Sequence, residues 1–430
     1  MTYSGLQKDL QQLDVTLPMS DDLSVLAKRL TFAGLSVPNR FVVQPMEGFD
    51  SGTDGEPLEL GFRRYERFAA GGAGLIWFEA TAVRWDARSN EQQFWINEKS
   101  VGKFAELLEH TRSTAHKEDG HDIVTVLQLT HSGRYSKPQR GKRKPVIAQH
   151  SGVLDAAHGI AGDYPLISDA ELDRLQDDYV SAAKLAARAG FDGIDVKSCH
   201  GYLLNELLGA HTRDGKYGGA FENRTRFLRE TIQRIAEEVP GVFVTSRLSV
   251  YDAVKYPWGF GTDKEDYRKH DLTEPKQLAS LLQKAGVPLL NITIGNPYFN
   301  PHYNRPYAKA ASGTAAYDEH PLRGVVRFVN IVRDMQQSFN GAENTVPMIG
   351  AGTAWLRERI PKVAAGIIAS GGAALFGQGR SSFAYPNAPR DILTRGGMDA
   401  KQVCVACSGC TNFMRAEHPA GCCVRDRKFY

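Results

Sequence analysis

Short apolar runs recur along the chain, and each is followed by a stretch in which apolar residues have helical spacing. These runs are rich in Val, Ile, Leu and Phe, which favour strands. We predict strands at 41–43, 75–78, 123–129, 193–196, 242–246, 289–293, 348–350 and 373–376. Parallel strands need long crossover connections, so this alternation predicts a parallel sheet with helices between its strands.

The clearest helix begins after Ser168. Ser168 and Glu171 have the spacing of a capping box, and Gly190 fits the residue that ends the helix. One side of this helix is apolar: Leu172, Leu175, Tyr179, Ala182, Ala183 and Ala186. A second helix is predicted over 223–239, before Pro240.

Two α/β architectures fit eight alternating strands: a doubly wound open sheet and a closed (β/α)8 TIM barrel. The dinucleotide-binding pattern G-x-G-x-x-G does not follow the first strand, which favours the barrel. We predict an N-terminal arm at 1–30, the barrel at 31–395 and a short cysteine-rich segment at 396–430.

The charge balance excludes some classes of partner. With 52 basic and 49 acidic residues the net charge is only +3, which favours neither nucleic acid nor an anionic membrane as a partner. No apolar run is long enough to span a bilayer, and the first residues lack the pattern of a signal peptide. We therefore expect a cytoplasmic protein, which could form homo-oligomers.

Titratable side chains follow the predicted strand 193–196. Lys197, Cys199, His200 and Tyr202 come within six residues of its end. Active sites of (β/α)8 barrels are built at the C-terminal ends of the strands. This position therefore predicts catalytic chemistry, whereas Cys199 alone is better explained as a small packing residue.

Glycines follow the last two predicted strands, in MIGAGT at 348–353 and FGQGRSS at 376–382. Backbone N–H groups next to glycine can approach an anion closely, and Arg380 adds a fixed positive charge. Barrels commonly bind phosphate after strands seven and eight. We predict a phosphate site here; the alternative is that these glycines only form tight turns.

Five of the six cysteines lie between residues 404 and 423. Cys404, Cys407 and Cys410 form a close group, and Cys423 follows at a distance, with Cys422 as the alternative fourth ligand. Four thiolates suit either zinc or a 4Fe-4S cluster. Structural zinc sites usually pair their ligands two and two, so the three-plus-one grouping favours the cluster.

Several motifs together resemble one family of flavoenzymes. They are NRFVVQPM (39–46), WFEATAV (77–83), LQLTHSGR (127–134), HGYLLNELL with YGGAFENR (200–208, 217–224) and TSRLS (245–249). They resemble motifs of the old yellow enzyme family of NADH:flavin oxidoreductases, over about residues 30–395. The resemblance implies a barrel that holds FMN non-covalently, with these residues around it: Pro45, Met46, Ala80, Gln128, Arg247, Gly352, Gly379 and Arg380.

The resemblance also assigns catalytic roles, with two departures. Tyr202 matches the proton-donating tyrosine, and Lys197 with His200 stands where many members have two residues that bind a carbonyl oxygen. A lysine there changes the electrostatics of that oxygen site, unless Lys197 forms a structural ion pair with Asp195 or a neighbouring acid. Glu47 stands where relatives place threonine or cysteine near the flavin.

The cysteine spacing resembles the trimethylamine dehydrogenase and dienoyl-CoA reductase branches, which implies a 4Fe-4S cluster that relays electrons. Electrons would come from NAD(P)H or from a separate flavoprotein or ferredoxin. We predict an ene-reductase acting on a small α,β-unsaturated carbonyl or carboxylic compound, bound by Lys197, His200, Tyr298 and His302. The alternatives are an amine dehydrogenase or demethylase and an electron-transfer flavoprotein subunit.

Overall fold

A computed structural model describes residues 3–314, 317–339 and 345–430. Positions 1–2 of the predicted arm lie outside these ranges. Eight parallel strands close into a barrel in which each strand pairs with the next and the last pairs with the first. A short antiparallel hairpin precedes them. The hairpin strands are β1 (Leu30–Phe32) and β2 (Leu35–Val37), and the barrel strands are β3 (Phe41–Val43), β4 (Leu75–Ala82), β5 (Val124–Thr130), β6 (Gly193–Val196), β7 (Phe243–Ser249), β8 (Leu290–Thr293), β9 (Met348–Gly350) and β10 (Leu375–Gln378).

The predicted (β/α)8 TIM barrel is therefore confirmed, and helices surround it. They are α1 (Tyr3–Gln12), α2 (Glu59–Ala69), α3 (Val101–Asp119), α4 (Leu154–His158), α5 (Asp169–Ala189), α6 (Leu203–Leu208), α7 (Phe221–Arg224), α8 (Arg226–Glu238), α9 (Thr273–Lys284), α10 (Pro301–Asn304), α11 (Pro321–Gln337), α12 (Ile360–Ala369), α13 (Arg380–Ala384), α14 (Ala388–Arg395) and α15 (Gly409–Arg415). Short 3-10 helices add to them at Ser24–Ala27, Trp85–Ala87, Gly133–Tyr135 and Ala354–Arg359.

All eight predicted strands exist, but several extend further toward their C-terminal ends than predicted. β4 continues through Glu79 and Thr81, and β7 continues through Arg247. These polar side chains are buried at the C-terminal end of the barrel, where an apolar pattern no longer marks a strand.

The predicted helix caps are confirmed for α5. Ser168 Oγ accepts a hydrogen bond from the Glu171 backbone N–H at 3.1 Å, and Gly190 ends the helix with a positive φ of 100°. The helix predicted over 223–239 is instead two helices, α7 and α8, that meet at Thr225. The Thr225 hydroxyl donates to the Phe221 carbonyl at 2.8 Å, within the last turn of α7.

The hairpin closes the N-terminal end of the barrel. Phe32 and Val37 are buried in a cluster with inward-facing side chains from the lower part of the barrel: Val42, Leu75, Trp77, Val124, Val126, Phe243, Leu289, Ile349 and Leu375. Phe32 meets the Phe243 ring edge to face, with centroids 5.3 Å apart. This apolar plug leaves the opposite end of the barrel for chemistry.

The cysteine-rich segment docks on that opposite end. The Ala420 backbone N–H donates to the Gly48 carbonyl at 2.7 Å, and the Ala308 N–H donates to the Ala406 carbonyl at 3.0 Å. Asp426 pairs with Arg63 and Arg67 of α2 at 2.7 and 2.6 Å. Residues 404–430 therefore pack against loops that follow β3 and β8. Within the described ranges, no helix is long and apolar enough to cross a membrane.

Truncation of Phe32 tests the role of the hairpin. Phe32→Ala removes a buried ring, so we expect the free energy of unfolding to fall by about 3 kcal/mol. Thr31→Ala changes an exposed neighbour on the same strand and is expected to cost less than about 0.5 kcal/mol. Urea denaturation monitored by circular dichroism measures the free energy of unfolding of both variants. Equal losses in the two variants would contradict the role of the hairpin as an apolar plug.

Candidate active site

A cavity of about 390 Å3 lies at the C-terminal end of the barrel. It brings together almost every residue predicted for the flavin, the substrate and the proton. These are Pro45, Met46, Gln128, Lys197, His200, Tyr202, Arg247, Tyr298, Gly352, Gly379 and Arg380. The residues come from loops or strand ends around the whole barrel, as expected for a barrel active site.

Two predicted site residues are not in the wall of this cavity. Ala80 is buried in β4, and its carbonyl accepts a hydrogen bond from Gln93 Nε2 at 2.8 Å. His302 lies in α10, where its ring stacks on Tyr317 with centroids 3.2 Å apart. Burial lowers the pKa of His302 to about 3, which keeps its ring neutral.

Asp195 is buried inside the barrel and fixes two of the cavity residues. Its carboxylate accepts hydrogen bonds from Gln128 Nε2 at 2.6 Å, from Trp77 Nε1 at 2.8 Å and from the Arg247 backbone N–H at 2.6 Å. Burial raises the pKa of Asp195 to about 6, and these hydrogen bonds oppose the shift. Gln128 and Arg247 therefore have defined positions relative to one carboxylate.

Lys197 pairs with Glu47, not with Asp195. Its ammonium lies 3.5 Å from Glu47 Oε1 and 3.9 Å from the centroid of the Tyr202 ring. The structural ion pair considered in the sequence analysis thus exists, with an acid from the loop that follows β3. An ammonium has three donors, so two remain for other acceptors in the cavity.

The Tyr202 hydroxyl lies in a small polar network. It is 3.3 Å from Glu47 Oε1 and 2.9 Å from the Tyr298 hydroxyl, while the Tyr202 ring is only 2% exposed. Burial, and then the nearby Glu47 charge, raise the pKa of Tyr202 well above its usual value. The phenol is therefore protonated at neutral pH and able to donate.

His200 faces the same cavity as a neutral ring. It has a positive φ of 66° in the turn that follows β6, and its Nε2 is buried without a hydrogen-bond partner among the described residues. Burial, with the Arg247 and Lys197 charges, keeps the pKa of His200 well below its usual range. An unpaired neutral imidazole in a cavity is suited to bind a ligand oxygen.

The predicted phosphate residues form the opposite wall. Gly352 has a φ of +86°, and a Cβ there would lie 2.6 Å from the Phe328 ring, so glycine is required. A Cβ on Gly379 would lie 3.3 Å from Met46 Sδ, which is a tight contact, and Gly379 lines the cavity. Arg380 donates one Nη to the Pro306 carbonyl at 2.9 Å, and its other Nη is buried and unpaired within the described chain.

The five C-terminal cysteines line one small cavity, which Arg380 also borders. Sulfur atoms there accept backbone N–H bonds: Ala406 N–H to Cys404 at 3.4 Å and Arg425 N–H to Cys422 at 3.4 Å. A Cβ on Gly409 would lie 2.3 Å from Cys423 Sγ and 3.5 Å from Cys407 Sγ. Among the described residues, no group of three or more His, Cys, Asp or Glu side chains is placed to hold one metal ion.

Several residues of the cavity wall were not predicted from the sequence. The cysteine-rich segment contributes Thr411, Met414, Arg415 and Glu417, and the loop after β8 contributes Arg305. Glu417 pairs with Lys137, another wall residue. These side chains lie far from the barrel motifs in the chain, and only the docking of the segment brings them together.

Comparison with known proteins agrees with this geometry. The family model described as NADH:flavin oxidoreductase / NADH oxidase matches residues 28–296. The chain belongs to this family. Like its members, it is an FMN-dependent oxidoreductase. An NADPH dehydrogenase of Bacillus pumilus (strain SAFR-032) is 32% identical over 275 residues, which are 62% of this chain and 72% of that protein.

Two solved structures share the fold over nearly the whole chain. A 2-naphthoyl-CoA reductase in complex with 2-naphthoyl-CoA has a TM-score of 0.73 at 19% identity, covering 94% of this chain and 57% of that one. Histamine dehydrogenase from Rhizobium sp. 4-9 has a TM-score of 0.69 at 18% identity, covering 93% of this chain and 52% of that one. The chain thus spans little more than half the length of these two proteins.

A double-mutant cycle tests the ion pair between Glu47 and Lys197. Lys197→Met leaves a buried carboxylate without its cation, so we expect the free energy of unfolding to fall by about 3 kcal/mol. Glu47→Gln in the same chain removes that charge, and we expect it to restore about 2 kcal/mol. Urea denaturation of the two single variants and the double variant measures the coupling. If the losses of unfolding free energy in the two single variants add up to the loss in the double variant, the two side chains have no coupling energy.

Proposed function

We propose that this oxidoreductase is an ene-reductase that reduces the C=C bond of an α,β-unsaturated carbonyl or carboxylic compound. The observation that carries the proposal is that a neutral imidazole, His200, and a protonated phenol, Tyr202, face one cavity together with Gln128 and Arg247. When bound, FMN supplies the hydride for the β-carbon of the substrate.

The cavity residues fit FMN. Gln128 offers both a donor and an acceptor to the pyrimidine edge of the ring system, and the permanent charge of Arg247 suits the side that becomes negative on reduction. Arg247 Nε and one Arg380 Nη are buried without partners among the described residues, which leaves them free for a ligand. Gly352, Gly379 and Arg380 would hold the phosphate, with Pro45 and Met46 along the ring system.

The chain's own residues then activate and protonate the substrate. His200 Nε2 and the two remaining donors of Lys197 would bind the carbonyl oxygen and stabilise its growing negative charge. Tyr202 would give its proton to the α-carbon, and its neighbours Glu47 and Tyr298 hold the hydroxyl in place.

We further propose that Cys404, Cys407, Cys410 and Cys423 bind a 4Fe-4S cluster that relays electrons. In such a cluster each thiolate binds a different iron, so the sulfurs surround a volume and need not converge on one ion. Their shared cavity, the Ala406 N–H directed at Cys404 Sγ and the nearby Arg380 charge suit an anionic cluster better than a tetrahedral zinc. Electrons would come from NAD(P)H, or from a separate flavoprotein or ferredoxin.

An amine dehydrogenase is the second candidate, because the cavity has an aromatic side. The Tyr135 and Tyr298 rings stack with centroids 3.8 Å apart, and Tyr202 lies next to them. Such rings can bind a substituted ammonium. The permanent charges of Arg247, Arg305 and Arg380 on the same cavity disfavour a cationic substrate.

Tyr202→Phe separates the two half-reactions. Holoenzyme purified without oxygen is reduced with NAD(P)H or dithionite and then mixed with 2-cyclohexenone or with trimethylamine. We expect flavin reduction to be unchanged and reoxidation by the enone to slow by about 100-fold, because only the proton donor is lost.

Tyr251→Phe is the matched control, since its hydroxyl bonds the Tyr267 carbonyl away from the cavity. This variant should leave unchanged both the rate of flavin reduction and the rate of flavin reoxidation by the enone. Reduction of oxidised flavin by the amine, with no reoxidation by enones, would instead support the amine dehydrogenase. Purified protein without flavin would overturn both proposals.

Cysteine variants test the cluster and its fourth ligand. Cys410→Ala and Cys423→Ala should lose most of the iron and acid-labile sulfide and the electron paramagnetic resonance signal of the reduced cluster. Cys422→Ala should keep them. Cys199→Ala is the control, because Cys199 is buried beside the catalytic residues and outside the cysteine cavity. Zinc at about one atom per chain without iron would contradict the cluster.

A further inference from the structure

A buried ionic cluster lies behind the loop that follows β3. Arg64 of α2 contacts Asp50, and its Nη2 lies 2.5 Å from Glu79 Oε1 and 3.0 Å from Asp50 Oδ1. All three side chains are buried, and none of them lines the cavity at the C-terminal end of the barrel. The chemistry proposed for that cavity uses none of these three groups.

The charges of this cluster do not cancel. Two carboxylates share one guanidinium, so one negative charge is in excess when both acids are ionised. Burial raises the pKa of Glu79, and the Arg64 charge opposes the shift. A buried carboxylate needs hydrogen-bond donors for its oxygens. Glu79 obtains one from the backbone, because the Gly48 N–H donates to Glu79 Oε2 at 2.6 Å.

Tyr65 of α2 fixes the Glu79 carboxylate. Its hydroxyl donates to Glu79 Oε1 at 3.3 Å and accepts a hydrogen bond from the Glu79 backbone N–H at 2.8 Å. The Tyr65 ring is in turn stacked on Phe78, with centroids 4.1 Å apart. Glu79 therefore has a defined position relative to β4 and α2, and it can fix the Gly48 backbone.

Gly48 is held on both sides of its Cα atom. Its N–H donates to Glu79, and its carbonyl accepts a hydrogen bond from the Ala420 N–H at 2.7 Å. A Cβ at Gly48 would clash with the Arg64 guanidinium, so only glycine fits against the cluster. The Gly48 backbone therefore joins the buried cluster to the cysteine-rich segment.

The neighbours of this backbone belong to the two proposed sites. Glu47 directly precedes Gly48, and its carboxylate lies 3.3 Å from the Tyr202 hydroxyl. The cysteines at 422–423 follow Ala420 after one residue. A shift of Gly48 would therefore move Glu47 relative to Tyr202. The same shift would break a hydrogen bond that holds the cysteine-rich segment.

We propose that Glu79 is a positioning residue for both sites: through Gly48 it holds Glu47 beside Tyr202 and keeps the cysteine-rich segment on the barrel. This inference rests on the proposed ene-reductase function, in which Glu47 holds the Tyr202 hydroxyl for proton transfer. Glu79 itself touches neither substrate nor cofactor in this arrangement. Its loss should therefore slow the step that uses Tyr202 and leave FMN bound.

Glu79→Met removes the acceptor of the Gly48 N–H and nearly keeps the length of the side chain. Holoenzyme purified without oxygen is reduced with dithionite and then mixed with 2-cyclohexenone. We expect flavin reoxidation to slow by about 10-fold, because a small displacement of the groups around a proton donor slows its reaction. Glu79→Gln should retain most of the rate, since its amide oxygen can still accept the Gly48 N–H. The FMN content should be unchanged in both variants.

Asp192→Leu is the matched control at the opposite end of the barrel. Asp192 directly precedes β6, pairs with Arg112 at 2.8 Å and accepts a hydrogen bond from the Thr125 backbone N–H at 2.8 Å. This arrangement is like that around Glu79. We expect the control to lose stability in urea and to keep the reoxidation rate. Equal slowing in Glu79→Met and Asp192→Leu would overturn the proposal, because the effect would then follow from lost stability alone.

A double variant shows whether Glu79 acts through Glu47. If the Gly48 backbone transmits the effect, adding Glu79→Met to Glu47→Ala should slow reoxidation no further than Glu47→Ala alone does. Independent slowing by the two substitutions would overturn the proposal. If Glu79→Met does not fold, Tyr65→Phe replaces it in each experiment, since it removes both hydroxyl bonds to Glu79 and leaves the carboxylate in place.

Hydrogen–deuterium exchange tests the same position without substrate. In Glu79→Met we expect the peptide that contains Ala420 to exchange at least about 10-fold faster, because its hydrogen bond to Gly48 is weakened. The peptide that contains Ala308, whose N–H donates to the Ala406 carbonyl of the segment, should keep its rate. Unchanged exchange at Ala420 would overturn the proposal. Faster exchange at Ala420, in a holoenzyme that no unsaturated compound reoxidises, would support the link through Gly48 and reject the ene-reductase.

Discussion

The arrangement of the active site depends on one buried carboxylate, Asp195. It lies on β6 and accepts hydrogen bonds from side chains of β4 and β5 and from the backbone of β7, so it links four neighbouring strands from inside the barrel. A buried carboxylate is stable only with such partners, and each partner is in turn fixed by it. These hydrogen bonds to Asp195 fix the positions of Gln128 and Arg247. The residues proposed to face the flavin are thus held by the same bonds that hold the strands in register.

Between the Asp195 hydrogen bonds and the C-terminal end of the barrel, the cavity is built from two parts of the chain that are far apart in the sequence. The loops after the barrel strands supply His200, Tyr202 and the glycines, while the cysteine-rich segment supplies Thr411 and Glu417. Hydrogen bonds at Gly48 and Ala406, with the ion pairs of Asp426, keep the segment in place. The cysteine cavity and the substrate cavity share Arg380, so the two proposed cofactor sites are joined by one side chain.

The sequence predicted the barrel and named most of the residues that meet in one cavity, because both leave local signals. Eight apolar runs marked the strands, and polar residues directly after a strand, such as His200, marked the catalytic end. The ends of β4 and β7 were missed because buried polar residues interrupt the apolar pattern. The sequence did not single out Glu47 as the partner of Lys197, and it did not indicate Arg305, because both depend on contacts across the barrel that no local pattern contains. His302 and Ala80 do not line the cavity.

The docking of the cysteine-rich segment also has a consequence for the order of assembly. Every barrel strand precedes residues 404–430 in the chain, so the barrel can close during synthesis before the segment that contributes Thr411, Met414 and Glu417 has emerged. During that interval the C-terminal end of the barrel lacks one wall and is wider than in the finished protein. Completion of this cavity wall can therefore follow closure of the barrel, in an order that is set by the order of the residues in the chain.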